Sequence, residues 1–176
     1  MTIQISNEKE NDMGVLKNDF SKVAEIELVY KNNIIPSKQP IIKSSKDAYR
    51  AFIETWDMNK LELQEQFRMI LLDHKNGILG ITTVSTGGLT NCPVDVRLIF
   101  AIALKARATA IIISHNHPSG SLMFSEPDRI LTSELCKAGQ LLKIPVLDHI
   151  IVTKEGYISF GDMGVMPHLP RGGHDF

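Results

Sequence analysis

The sequence predicts an α/β or α+β domain in which a β-sheet is covered by helices on both sides. Three observations carry this prediction. Apolar runs of strand length recur at 67–71, 78–84, 109–114 and 145–152, segments with helical spacing lie between them, and a turn cluster joins the first two runs as a hairpin. The 176 residues suit one domain with a sizeable core. With 43% hydrophobic residues, 22% charged residues and a net charge of −1, the composition is that of a soluble globular protein. It gives no electrostatic case for nucleic acid or an anionic membrane surface.

Residues 1–20, rich in Asn, Glu, Asp and Lys, lack the apolar content to pack and are expected to form a flexible N-terminal tail. Val23, Ile26, Leu28 and Tyr30 then mark a first strand, and Pro36 to Pro40 an extended connection. Ser44 or Ser45 caps a helix running to Trp56, with Ala48, Phe52 and Trp56 on one stripe. Phe67, Met69 and Leu71 alternate as a strand, and Asp73 to Gly77 turns the chain into Ile78 to Val84. Glu62 and Glu65 precede the first of these strands, where a carboxylate either has a task or faces water. Thr82 to Asn91 reads as a polar loop in which Gly87 and Gly88 allow positive φ.

Pro93 and Asp95 begin a helix with Val96, Ile99, Phe100, Ala103 and Leu104 on its apolar face. Thr109 to Ser114 is the central strand. A further helix spans 126–142, capped by Ser125, with apolar positions Ile130, Leu131, Leu135, Ala138, Leu141 and Leu142. Pro145 to Val152 and Gly156 to Phe160 close the sheet, giving a domain at 21–165 and a C-terminal tail at 166–176 that holds His168 and His174. Cys92 and Cys136 are too few and too far apart for a disulfide framework and read as small buried side chains in a reducing compartment. With no apolar run of transmembrane length and a polar, acidic start in place of a signal peptide, the expected location is cytoplasmic.

Chemistry concentrates where the Ile111 to Ile113 run meets Ser114-His115-Asn116-His117-Pro118-Ser119-Gly120. His115 and His117 are two apart, so an extended backbone turns both imidazoles to one side, and Pro118 keeps His117 out of the helical region. Asp128 follows just inside the next helix. Two imidazoles and a carboxylate suit Zn²⁺, and three protein ligands leave a fourth tetrahedral position open, as catalytic sites do. The same residues also admit a plainer reading, in which the histidines are polar turn residues and Ser125 with Asp128 is a capping box that needs no metal. A zinc deaminase is excluded by the lack of H-x-E and C-x-x-C.

The pattern His115-x-His117-x₇-Ser125-x₂-Asp128 resembles the JAMM (MPN+) metalloprotease motif, and His-Asn-His-Pro-Ser-Gly is similar to its RadC-like, JAB-type branch. The likeness extends through Val84 to Gly88 and Asn91 upstream and Asp148 to Val152 downstream, over roughly residues 40 to 162. It implies the MPN fold, a mixed sheet flanked by helices with cytidine-deaminase-like layering. It implies one Zn²⁺ per chain on His115, His117 and Asp128. The Glu65-x-Phe67 context corresponds to the family's catalytic glutamate, which selects Glu65 over Glu62, and Ser125 takes the place of the oxyanion donor. RadC proteins also carry an N-terminal helix-hairpin-helix region, for which this chain is expected to have no room.

The expected activity is zinc-dependent hydrolysis of a peptide or isopeptide bond, with a protein or peptide as substrate and no membrane partner. The main alternative is a non-catalytic RadC-type interaction module connected with DNA repair or mobile elements. A metal-dependent nuclease is the other, although two-metal nucleases need more carboxylates than this cluster offers and DNA association has no support from charge. Asp148 and His149 either orient a metal ligand from behind or make only structural hydrogen bonds.

Overall fold

The computed structural model describes residues 39–88 and 91–168, so the expected strand at 23–30, the tail at 1–20 and the last part, 169–176, of the expected tail at 166–176 lie outside the described residues. In chain order the elements are α1 (Ser45–Thr55), β1 (Gln66–Leu72), β2 (Ile78–Thr86), α2 (Val96–Lys105), β3 (Ala110–Asn116), α3 (Glu126–Leu142), β4 (Val146–Val152) and β5 (Tyr157–Ser159). The strands form one mixed sheet in the order β2-β1-β3-β4-β5. β3 lies parallel to β4 and antiparallel to β1, and the outer pairs are antiparallel. No helix among the described residues is long and apolar enough to cross a membrane.

Side-chain alternation sorts the central strands into two cores. Phe67, Met69, Leu71, Ile111 and Ile113 face α2 and α3, where they meet Ile99, Phe100, Ala103 and Leu135. Ile70, Leu72, Ala110, Ile112 and Ile150 face α1, packing on Ala48, Phe52 and Trp56. Because both faces are covered, every residue of β1 is buried, not only the alternate ones that the pattern of Phe67, Met69 and Leu71 suggests. A register shift between Ile111 and Ile112 pairs Ile111 with Val146 but Ile112 with Asp148, skipping Leu147. That bulge inverts the parity of β4 and brings His149 to the same face as His115.

Arg68 points toward α1 and is 6% exposed. Its Nη1 donates to the Phe52 carbonyl and its Nη2 to Thr55 Oγ1, both at 3.2 Å, while the guanidinium carbon lies 4.8 Å from the centre of the Trp56 ring. The buried cation thus sits against the C-terminal turn of α1, where the helix dipole presents partial negative charge, and on an aromatic face.

Several boundaries and faces differ from the sequence expectation. β2 runs to Thr86 because its end remains paired with Gln66 and Phe67. β3 continues past Ser114 to Asn116, held by Phe67 on one side and by Ile151 and Val152 on the other. Leu104 on α2 and Ile130, Leu141 and Leu142 on α3 are exposed. The buried side of α3 is instead Thr132, Leu135, Cys136 and Gly139. Small residues there admit close approach: a Cβ on Gly139 would stand 2.4 Å from the Ile144 carbonyl oxygen and 3.4 Å from the Phe100 ring.

Both cysteines are free, Cys136 buried with its thiol pushed up to about 11 by burial, and Cys92 only partly covered. Met166 packs on the α2 and α3 core, so the packed chain reaches at least that residue.

Gly139→Ala separates helix propensity from packing. Propensity alone favours Ala by about 1 kcal/mol, but the carbonyl contact is backbone and has little freedom to withdraw. The variant is expected to be less stable by about 1–3 kcal/mol, read from urea unfolding midpoints; a midpoint at or above that of the parent would contradict the packing argument.

Candidate metal centre

The end of β3 and the start of α3 bring His115, His117 and Asp128 together. His115 stands next to last in β3, which is buried along its whole length, and His117 lies two residues on, its N–H still bonded to the Val152 carbonyl at 3.0 Å. Ser125 caps α3: its hydroxyl oxygen accepts the Asp128 N–H at 3.2 Å, and its own N–H donates to Asp128 Oδ2 at 2.8 Å. This capping box fixes the Asp128 rotamer and leaves Oδ1 facing His115. The capping box of the plain reading is therefore present, and the same box is what aims the carboxylate at His115.

The three donor groups converge closely. His115 Nε2 lies 2.9 Å from His117 Nε2 and 3.2 Å from Asp128 Oδ1, and His117 Nε2 lies 3.8 Å from Asp128 Oδ2. A tetrahedral centre with ligands at about 2.0–2.1 Å separates neighbouring ligand atoms by roughly 3.3 Å; the separations to His115 lie near that edge, and one donor atom from each of the three residues lies within 4.8 Å of the other two. The His117 Nδ1 sits 2.7 Å from the Ser121 carbonyl oxygen, which can only accept. The neutral ring therefore carries its proton on Nδ1 and turns a bare Nε2 toward the cluster. These residues fit a metal ion by donor type, spacing and direction, and they form a group able to hold one.

Around them lies a cleft of about 410 Å³ whose walls include Glu65, Phe67, Cys92, Ser125 and Leu131. Burial raises the Glu65 carboxyl above its ordinary value, against the pull of His115 and His117. Burial also acts to raise Asp128, but hydrogen bonding and charge from His115, while that ring is protonated at Nε2, and the two Ser125 bonds outweigh it and hold the group well below the carboxylate range. Glu62 is exposed and bound to Lys154 at 2.8 Å, so of the two carboxylates before β1 it is Glu65 that lines the cleft. His168 is exposed and lines a different recess, beside Gln140 and Pro145.

The matching family model is that of the RadC-like JAB domain, over residues 42–165. The chain belongs to the RadC-like JAB domain family. Among its relatives, a UPF0758 protein of Flavobacterium johnsoniae is 38% identical over 124 residues, 70% of this chain and 53% of the relative. One from Symbiobacterium thermophilum is 43% identical over 102 residues, 58% and 44% of the two chains. Another, from Chloroflexus aurantiacus, is 38% identical over 154 residues, 87% and 66%. The chain thus spans about half the length of the curated relatives it matches.

Two features of this JAB domain lie beyond what residue spacing conveys. Asn116, between the two histidines, is fully buried. Its Oδ1 accepts the Gln66 N–H at 2.7 Å, and its Nδ2 donates to the Leu61 and Gln64 carbonyls at 2.6 and 2.9 Å. It thereby staples the segment that carries Glu65 to the end of β3. On the other side of that segment, the Glu65 N–H donates to the Gly88 carbonyl at 3.0 Å and the Gly87 N–H to the Glu65 carbonyl at 2.8 Å. Gly87 is required here for space and not for positive φ, since a Cβ would lie 2.0 Å from the Asn91 carbonyl oxygen.

Replacing Asn116 by Ala strands an N–H and two carbonyls. A loss of about 2–3 kcal/mol is expected, with faster amide exchange at Gln66 than at Ile70 in the same strand. Unchanged exchange at Gln66 would refute the staple.

Proposed function

We propose that the chain is a zinc-dependent hydrolase that cleaves peptide or isopeptide bonds, with His115, His117 and Asp128 holding one Zn²⁺. The observation that carries this reading is the convergence of two imidazole nitrogens and a carboxylate oxygen in a cleft that also contains a second, separate carboxylate, Glu65. Two imidazoles and one carboxylate are a donor set typical of catalytic zinc, which would keep a further position for water or substrate. When bound, Zn²⁺ supplies a Lewis acid that polarises water and lowers its pKa from 15.7 toward about 7.

Glu65 acts as the base, taking a proton from the attacking water and passing it to the leaving amine. Its held backbone and raised carboxyl suit a group that must both accept and return a proton near neutrality. Ser125 donates to the developing oxyanion. Its cap bond uses only an oxygen lone pair, so the hydroxyl proton stays available, and one side chain serves both purposes. The substrate is a protein or peptide, and neither DNA nor a membrane is proposed as a partner, consistent with the net charge of −1.

Elemental analysis of the untagged protein should find near-stoichiometric zinc in the parent and little in His117→Ala; a parent that takes up no zinc even when supplied would end this reading in favour of a non-catalytic interaction module. Glu65→Gln is expected to keep its zinc and lose at least about 10²-fold in turnover of a fluorogenic peptide and isopeptide panel, whereas full turnover would remove Glu65 as the base. Because the base must be ionised, activity should fall as the pH drops through a value above the ordinary glutamate range. An acid limb that survives unchanged in the residual activity of Glu65→Gln would assign that limb to another group.

A further inference from the structure

We infer that Thr132 and His149 form a proton-ordering relay that holds the Nε2 of His115 bare and aimed at the metal centre. The inference rests on the reading that this cluster holds a metal, and its argument is an accounting of hydrogens along one buried line. Thr132 Oγ1 lies 2.5 Å from the Asp128 carbonyl oxygen and 2.7 Å from His149 Nδ1. The carbonyl has no proton to give, so the single hydroxyl proton lies on the line to it. The hydroxyl oxygen is then the acceptor toward His149, and His149 carries its proton on Nδ1.

The consequence passes along the chain. With Nδ1 protonated, the neutral His149 ring presents Nε2 as an acceptor, 2.8 Å from His115 Nδ1. His115 Nδ1 must therefore be the donor. The neutral His115 ring is left with a bare Nε2, the atom that lies 2.9 Å from His117 Nε2 and 3.2 Å from Asp128 Oδ1. The reverse order would place a proton on that nitrogen, where it would block ligation. His117 reaches the same tautomer independently through the Ser121 carbonyl.

Position makes the order durable. Thr132 and His149 are fully buried. The His149 ring is stacked on Phe160, with centroids 4.7 Å apart and planes at 18°, and Phe67 meets it edge-on at 5.9 Å. Solvent has no access through which to exchange the proton pattern. The relay also starts on the backbone of Asp128, four residues before Thr132 on α3, so one helical turn ties together the carboxylate and the orientation of His115. Thr132 and His149 are positioning residues, since neither reaches the cluster itself.

Long-range ¹H–¹⁵N NMR of the parent, with and without zinc, tests the order directly because His149 does not touch the metal. A proton on His149 Nδ1 is expected, and a proton on Nε2 would overturn the relay whether or not zinc binds. Zinc affinity, measured by competition with a chromophoric chelator, gives the second arm. Thr132→Val keeps the shape but removes the acceptor and should weaken zinc binding about 10- to 100-fold, with Thr132→Ser restoring it. Parent-like affinity in a folded Thr132→Val would overturn the inference, and if that variant does not fold, the His149 tautomer and Thr132→Ser still decide it. A parent that binds no zinc refutes the hydrolase reading, while the NMR result separately settles the proton order.

Discussion

Alternation along a single strand governs the rest of this structure. At the end of β3, His115 turns to the face shared with α2 and α3, and the next residue, Asn116, turns to the face shared with α1. The first enters the donor cluster, while the second anchors the segment from which Glu65 enters the same cleft. Two adjacent side chains on opposite faces of one sheet thus set the separation between the donor cluster and the second carboxylate. Because β3 is paired on both sides through His115 and with β4 through Asn116, neither can drift without breaking ladder hydrogen bonds.

Much of the fold was legible because its local signals agree with one another. Ser44, Asp95 and Ser125 each cap the helix that begins beside them, and the apolar runs became the strands of one mixed sheet. The H-x-H-x₇-S-x₂-D spacing located residues that do converge, since extended backbone and a capping box fix side-chain direction almost locally. What was illegible is tertiary. Periodicity marks which α3 residues are apolar but not which side meets the sheet, and there the small residues Cys136 and Gly139 prevail over Ile130 and Leu141. Likewise, nothing in the order of residues announces that skipping Leu147 turns His149 toward His115. The role of Asn116 is equally hidden, because its three partners lie about fifty positions upstream.

Buried polarity is handled in two distinct ways. On the α1 side a cation is balanced by a helix end and an aromatic ring. Across the sheet, neutral imidazoles, a hydroxyl and carbonyls are chained so that each donor finds an acceptor, and the unpaired lone pairs collect in one place. Asp148 follows the same economy at the edge of the sheet. Its carboxylate accepts from Ser159 at 2.6 Å and from the Gly161 and His149 amides at 2.8 Å, which ties the β5 end to the strand that carries His149.

The close seat of Gly139 against Ile144 has a further meaning for how the chain tolerates changes in length. It pins one end of α3, while Asp128 occupies the other. Each residue inserted between them would rotate the carboxylate by about 100° around the helix axis and advance it by about 1.5 Å, turning it away from the histidines. The turn from Pro118 to Phe124 carries no such phase, as it has neither helix nor strand. Within this domain, a change of length between Ser121 and Ser125 leaves both the carbonyl that meets His117 and the cap of α3 in place, whereas the span of α3 behaves as a fixed ruler.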